Sequence, residues 1–264
     1  MIHYLQIVRI PVALLLIEST MTPTNRTPVP FVHAILLGYE KYQVDPAAAL
    51  HHANISRAQL NDSSAYITTA QFESFMELAM RELDDEALGW FSRPFWWGSY
   101  GMLARASVGA PDLRVALTRW CRNHNLLTRD VILRMTETAG VATIGIIEHK
   151  PLGAAREFCL VSILRNMLSY SSWLIDSRVT CMYTAFPFAG PPHAQVYPGM
   201  FSGPLRFDAS HASTSFAAAY PLDTHHAARK HTERTGHGTG TEHVAAQPAP
   251  AARRRRRIVS SVKG

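Results

Sequence analysis

The spacing of apolar residues predicts helices in the first third of the chain. After Pro30, apolar side chains recur at helical intervals at Val32, Ile35, Leu36 and Tyr39. The clearest pattern lies in residues 70–83, where one side of the predicted helix is apolar and the other is polar. The apolar stripe consists of Phe72, Phe75, Met76, Ala79, Met80 and Leu83. We therefore predict that the first 90 residues are helical.

Two local signals mark where shorter helices begin. Asp45 and Pro46 can cap a short helix, with proline at its first position. Ser56 is followed three residues later by Gln59, the spacing of a capping box.

The pattern changes after residue 90. Glycines and prolines in residues 91–113 predict short broken pieces. Asp112, after Pro111, then starts another amphipathic helix, whose apolar face includes Trp120. Two runs of β-branched residues flank residues 138–140, which predicts a hairpin.

The remaining segments mix one helix with strands. Residues 157–175 predict a long, largely buried helix, and residues 178–186 alternate as a strand does. One or two further short strands are expected in residues 204–220. The fold class is therefore predicted to be α+β, a helical N-terminal half followed by a small mixed sheet packed with long helices.

Charge separates the end of the chain from its body. The net charge is +6, but Lys and Arg balance Asp and Glu up to Tyr220, and the excess lies in residues 221–264. In this segment apolar residues recur at neither the helical nor the strand spacing, so we expect a disordered basic tail. We interpret it, including the five arginines at 253–257, as out-of-frame sequence after a frameshift.

The other end and the cysteines add two expectations. Residues 10–17 are apolar but too short to cross a bilayer, which takes about 20 apolar residues. Residues 1–28 are interpreted as a flexible N-terminal extension, with Met21 as the natural start. The three cysteines are far apart and form no CxxC pair, which favours a reduced cytosolic setting.

An aromatic segment, residues 95–101, is the most distinctive candidate site. Trp96, Trp97 and Tyr100 form either plain core or the wall of a small-molecule pocket. Arg105, in an apolar stretch nearby, is either a surface side chain or a partner for an anionic ligand. With His124, these residues form our candidate effector-binding set.

Catalytic and metal motifs give weaker signals. Cys121 and His124 are spaced as a nucleophile and base on a helix, but no third group orients them, so no catalytic residue is expected. The cluster at residues 84–86 is interpreted as a solvated acidic turn. We expect neither a metal site nor a cofactor.

Four blocks of sequence resemble, in order, the N-terminal arabinose-binding-type domain of AraC-type transcriptional regulators. They read VPFVHAILLGYEKYQVDPAAALHHANIS, MRELDDEALGWFSRP, GSYGMLARASVGAPDLRVALTRWCRNHNLL and GPLRFDASHASTSFAAAY. The similarity covers residues 29–220. It is a series of packing and turn patterns, without catalytic signatures.

The resemblance implies a cytoplasmic regulator whose domain senses a small-molecule effector and forms a homodimer. Such regulators carry a C-terminal DNA-binding domain, and no helix-turn-helix can be drawn in residues 221–264. We therefore expect a truncated regulator that makes no sequence-specific DNA contact by itself. The alternatives are a small cytosolic enzyme and a nonspecific nucleic-acid binder acting through the arginine-rich tail.

Overall fold

The computed structural model describes residues 26–220. The predictions for the tail, for Met21 and for residues 1–25 of the N-terminal extension lie outside the described residues. Within residues 26–220, no helix is long and apolar enough to cross a membrane.

The first part of the chain is mainly helical. Its elements are β1 (Arg26–Pro28), α1 (Val29–Tyr42), α2 (Ala47–His52), α3 (Arg57–Leu60), β2 (Tyr66–Thr68) and α4 (Thr69–Glu82). The two strands pair antiparallel, with Thr27 opposite Ile67. This small sheet was not expected, because three-residue strands are too short to show an alternating pattern.

The second part combines helices with a larger sheet. Its elements are α5 (Ser99–Val108), α6 (Leu113–Leu127), β3 (Val131–Thr138), β4 (Val141–Glu148), α7 (Arg156–Leu174), β5 (Cys181–Ala185), α8 (Tyr197–Met200), β6 (Leu205–Arg206) and β7 (Ala212–Ala217). The sheet has the order β3-β4-β7-β5-β6, antiparallel except for the parallel pair β5-β6. The predicted α+β class is confirmed.

Several local predictions are also confirmed. Ser56 and Gln59 form the capping box at the start of α3. Ala139 and Gly140 make the hairpin turn with left-handed φ angles of 49° and 75°, a conformation that glycine adopts readily. Every residue of the apolar stripe, which runs along α4 to Leu83 at its C-cap, is buried, so the helical period located the core face correctly.

The outer edge of β3 is covered at one point by a side chain of α6. The Asn125 amide donates to the Leu133 carbonyl and accepts from the Leu133 N–H, both at 2.9 Å. Leu133 therefore has its outward backbone groups satisfied without a further strand.

Gly38 lets α1 approach the segment after α4 closely. A Cβ at Gly38 would lie 2.4 Å from the backbone oxygen of Leu88. We expect Gly38→Ala to lower the free energy of unfolding by about 1–2 kcal/mol, because the overpacking outweighs alanine's better helix propensity. Urea unfolding measures the change.

Gly109 offers a matched control. It has an ordinary φ of −85° and no atom within 4 Å of a built Cβ. Gly109→Ala is expected to change stability by less than about 0.5 kcal/mol. Equal effects of the two substitutions would contradict the close-approach explanation.

Candidate functional site

The predicted site segment folds differently from the sequence-based expectation. Instead of short pieces, residues 99–108 form the ten-residue helix α5. Gly98 precedes it with a left-handed φ of 97°, and no side chain of its own caps the helix. Glu86 takes that role from a distance: its carboxylate accepts from the N–H groups of Gly98 at 2.9 Å and Tyr100 at 2.7 Å.

The acidic cluster before α5 is the second correction. Asp85 and Glu86 are 0% and 2% exposed, so the segment is not a solvated turn. Both side chains accept hydrogen bonds from the backbone of residues 87–100, which the short local sequence did not reveal. Burial raises the pKa of Glu86.

Asp85 organises the loop that leads into α5. One carboxylate oxygen accepts from the N–H groups of Ala87 at 2.9 Å and Phe95 at 2.7 Å. The other accepts from the Gly89 N–H and from the Tyr42 hydroxyl, both at 2.8 Å. This single side chain therefore holds together a loop that has no regular secondary structure.

The loop, α5, α6 and α7 enclose a continuous group of buried rings, which we call the aromatic cluster. Its members are Phe91, Phe95, Tyr100, Trp120 and Tyr170. Consecutive ring centroids along this series lie between 4.5 and 6.3 Å apart. The aromatic core interpretation of residues 95–101 thus holds for Phe95 and Tyr100.

His124 projects from α6 into this cluster. Its ring is 1% exposed and lies 6.1 Å from the ring of Phe91 and 5.3 Å from that of Phe95. Neither Nδ1 nor Nε2 makes a hydrogen bond of ordinary geometry with the described residues, although the side chain of the neighbouring Asn125 opposes part of the pKa shift. Burial is the larger effect and lowers the pKa of His124 to about 4, so the ring is neutral at physiological pH.

Asn166 on α7 is a second buried polar side chain with an unpaired atom. The residue is 4% exposed, and its Oδ1 has no hydrogen-bond partner within residues 26–220. It lies one helical turn before Tyr170, whose ring is 4.5 Å from that of Trp120. His124 lies one turn after Trp120, so each unpaired side chain is one turn away from the same contact.

A series of ring contacts links α6 to the first half of α7. Phe91 contacts His124 at 6.1 Å and Trp90 at 6.4 Å, and Trp90 contacts Phe158 at 5.4 Å. Phe158 is two turns before Asn166 on α7. The series therefore joins His124 on α6 to Phe158 on α7 through the rings of Phe91 and Trp90. The buried Nε1 of Trp90 is a third unpaired group in this region.

The other predicted site residues lie outside the aromatic cluster. Trp96 is 63% exposed. Trp97 is half-buried, with the Arg81 guanidinium 5.0 Å above its ring. Arg105 is half-buried and makes interactions of its own, and its separation of five residues from Tyr100 places it on another side of α5. The structure therefore brings together only Tyr100 and His124 of the candidate set.

The Cys121–His124 pair lacks the properties of an activated nucleophile. Burial raises the pKa of Cys121 to about 12, so the side chain stays a thiol. His124, with its pKa near 4, is a weak base. A reactive cysteine needs the opposite environment, one that favours the thiolate.

Comparison with known proteins relates the chain to transcription regulators. The family model of the arabinose-binding domain of AraC transcription regulators, N-terminal, matches residues 44–222. The ornithine utilization regulator of Pseudomonas aeruginosa is 21% identical over 182 residues, which cover 69% of this chain and 54% of that protein. The chain thus spans about half the length of the curated relative it matches.

A solved structure also aligns. The crystal structure of transcriptional regulator CdpR from Pseudomonas aeruginosa aligns at 12% identity and a TM-score of 0.38, covering 78% of this chain and 60% of that one. The family match alone spans more than half of the 264 residues. The chain therefore belongs to the family of the N-terminal arabinose-binding domain of AraC transcription regulators.

Proposed function

We propose that the chain is an effector-sensing regulatory domain whose small-molecule effector binds among the aromatic cluster, His124 and Asn166. The observation that carries the proposal is the pair of buried polar side chains with unpaired atoms. A buried polar group without a partner costs about 1–3 kcal/mol. A ligand that bonds to either side chain recovers part of that free energy, which favours this part of the core as a binding site.

The position of the site suggests how binding is transmitted. His124 belongs to α6 and Asn166 to α7, and the loop held by Asp85 closes the cluster beside α5. A ligand between these elements changes their relative positions. It shifts the balance between two conformations only by the difference in its affinities for them. Membership of a regulator family makes a regulatory role the better fit than catalysis.

We further propose that the domain acts as a cytoplasmic homodimer and that effector binding changes its dimer equilibrium. The support is the family membership. Arg105, Trp96 and Trp97 are not part of the proposed site, since they lie outside the aromatic cluster.

Thermal unfolding tests the proposal. A panel of metabolites, which includes ornithine because of the relative's name, is expected to contain a compound that raises the Tm. At about 100 times its Kd, the rise is roughly 5–10 °C for a domain of this size. His124→Phe and Asn166→Leu are each expected to remove most of this rise. Each replaces a hydrogen-bonding side chain by an apolar one of similar size.

Trp96→Ala is the matched control, because the Trp96 side chain is 63% exposed and is not one of the rings of the aromatic cluster. It should leave the ligand-induced rise unchanged. The site is refuted if the rise survives in both His124→Phe and Asn166→Leu, or if it is lost in Trp96→Ala.

A further inference from the structure

We propose that the outer face of the five-stranded sheet carries a second binding site, which takes a small oxyanion, a phosphate or a carboxylate group. Its residues are Arg134, His211 and Ser213. None of them belongs to the aromatic cluster, so the inference goes beyond the proposed function. It follows from the strand register, from the position of the His211 ring and from the charges on this face of the sheet.

The register identifies the outer face. Successive side chains of a strand point to opposite faces of a sheet. Leu133 on β3 and Ile146 on β4 are opposite each other, and each is 1% exposed, within the hydrophobic core. Arg134 and Gly145, the next residue on β3 and the preceding one on β4, are also opposite each other. They therefore lie on the other face, where the Arg134 side chain is exposed.

Ser213 on β7 continues this row. It is opposite Gly145, so Gly145 lies between Arg134 and Ser213, and opposed Cα atoms are about 4.5–5.5 Å apart. Gly145 has no side chain to separate the other two residues. Ser213 is 4% exposed, and its hydroxyl makes no hydrogen bond within residues 26–220. This hydroxyl is therefore available to a ligand that lies over Gly145.

The His211 ring lies over the same glycine. A Cβ built at Gly145 would be 3.6 Å from Cδ2 and 3.7 Å from Nε2 of His211. Nδ1 is 2.9 Å from the Ser210 hydroxyl oxygen. When that hydroxyl donates to Nδ1, the hydrogen of the neutral ring is on Nε2, the nitrogen beside Gly145. His211 thus adds a third donor to those of Arg134 and Ser213.

The charges on this face favour an anion. The row continues through Ala185 on β5 to Arg206 on β6, whose guanidinium lies 4.8 Å above the ring of Tyr183. The other outward positions of β3, β4 and β7 include no Asp or Glu. They are Ile132, Thr136, Thr138, Val141, Thr143, Ile147, Ser215 and Ala217. An oxyanion over Gly145 therefore gains charge-assisted hydrogen bonds and meets no carboxylate on these strands.

Glu137 and Glu148, the carboxylates of β3 and β4, occupy positions of the opposite face by the same alternation. Glu137 lies 3.6 Å from Arg114, and Glu148 forms a two-bonded ion pair with Arg156. Each of them has a cationic partner, so neither neutralises Arg134.

Inorganic phosphate and acetate, titrated separately into the full chain at neutral pH and constant ionic strength, test the site. Binding is followed by the amide signals of Gly145 and Ser213 and by the imidazole ¹⁵N signals of His211. We expect at least one anion to shift these signals to saturation, and the comparison shows which group is preferred. Arg134→Gln and His211→Phe should each weaken binding by about fivefold or more, since each removes a donor. His211→Phe keeps a ring to cover Gly145, so its effect reports the lost donor.

Arg57→Gln is the matched control for charge. Arg57 is an exposed arginine of α3, which is not part of the sheet, and its replacement should leave the affinity unchanged. Three results would overturn the inference. They are no saturable shift with either anion, binding that survives both Arg134→Gln and His211→Phe, and an equal loss in Arg57→Gln and Arg134→Gln.

Discussion

Replacement of Asp85 by alanine is expected to lower the free energy of unfolding by on the order of 4 kcal/mol. The substitution removes the acceptor of three backbone N–H groups and of the Tyr42 hydroxyl. The loop between α4 and α5 has no secondary structure to replace these bonds, and Asp85 is 0% exposed. Urea unfolding followed by tryptophan fluorescence measures the loss.

Asp84→Ala is the matched control for this prediction. Asp84 is the adjacent carboxylate, but it is exposed, and the bond it accepts within residues 26–220 is a longer one, from the Trp97 N–H at 3.2 Å. Its φ of 49° is left-handed, which alanine adopts less readily than aspartate, and with that strain its replacement should cost about 1 kcal/mol. If Asp85→Ala proves too unstable to purify, Asp85→Asn, which keeps the shape and one acceptor, should show an intermediate loss. Asp85→Ala and Asp84→Ala of equal stability would refute the role given to Asp85.

The second large effect that we expect is a loss of stability at low pH. Burial lowers the pKa of His124 from its ordinary 6.5 to about 4. Between these values the unfolded chain binds a proton that the folded chain does not, so stability falls as the pH falls. Above pH 6.5 the imidazole is neutral in both the folded and the unfolded chain, so no stability is lost there. By pH 4 the free energy of unfolding has fallen by about 3 kcal/mol. Urea unfolding at intervals from pH 7.5 to pH 4 measures the slope.

The His124→Phe variant isolates this contribution. It has no imidazole to protonate, so its stability should depend less on pH over the same interval. Glu86 acts in the opposite direction, because its pKa is raised and its folded form gains a proton more readily. Glu86 is present in both proteins, so the difference between them reports His124. Parallel pH profiles of the two proteins would show that His124 is accessible to protons in the folded state.

The elements that the sequence predicted well are those whose stability is local. In each of three features the interacting residues are close together in the sequence. These features are the stripe on α4, the capping box at Ser56 and the turn at Gly140. Helix α5 was missed because its start is stabilised by Glu86, twelve residues before Gly98. No pattern within residues 98–108 shows that partner, and the two glycines there indicated a break.

The candidate site was predicted in part for a similar reason. Tyr100 and His124 were found because aromatic and histidine side chains are conspicuous in an apolar sequence. Asn166 was missed, since α7 is apolar on most of its surface and one amide within it does not show which neighbours it meets. Its signal was present as a polar residue one turn before Tyr170. The sequence of α7 alone does not show how this helix packs against α6, the helix that carries His124.

The amide of Asn125 has a consequence for self-association. An uncovered outer strand offers its backbone to a strand of another molecule, which is a route to aggregation. Asn125 imitates one residue of such an incoming strand and occupies the place where it would register with Leu133. Two copies of this chain could therefore pair their β3 strands at Leu133 only after the Asn125 amide is displaced, at the loss of two hydrogen bonds.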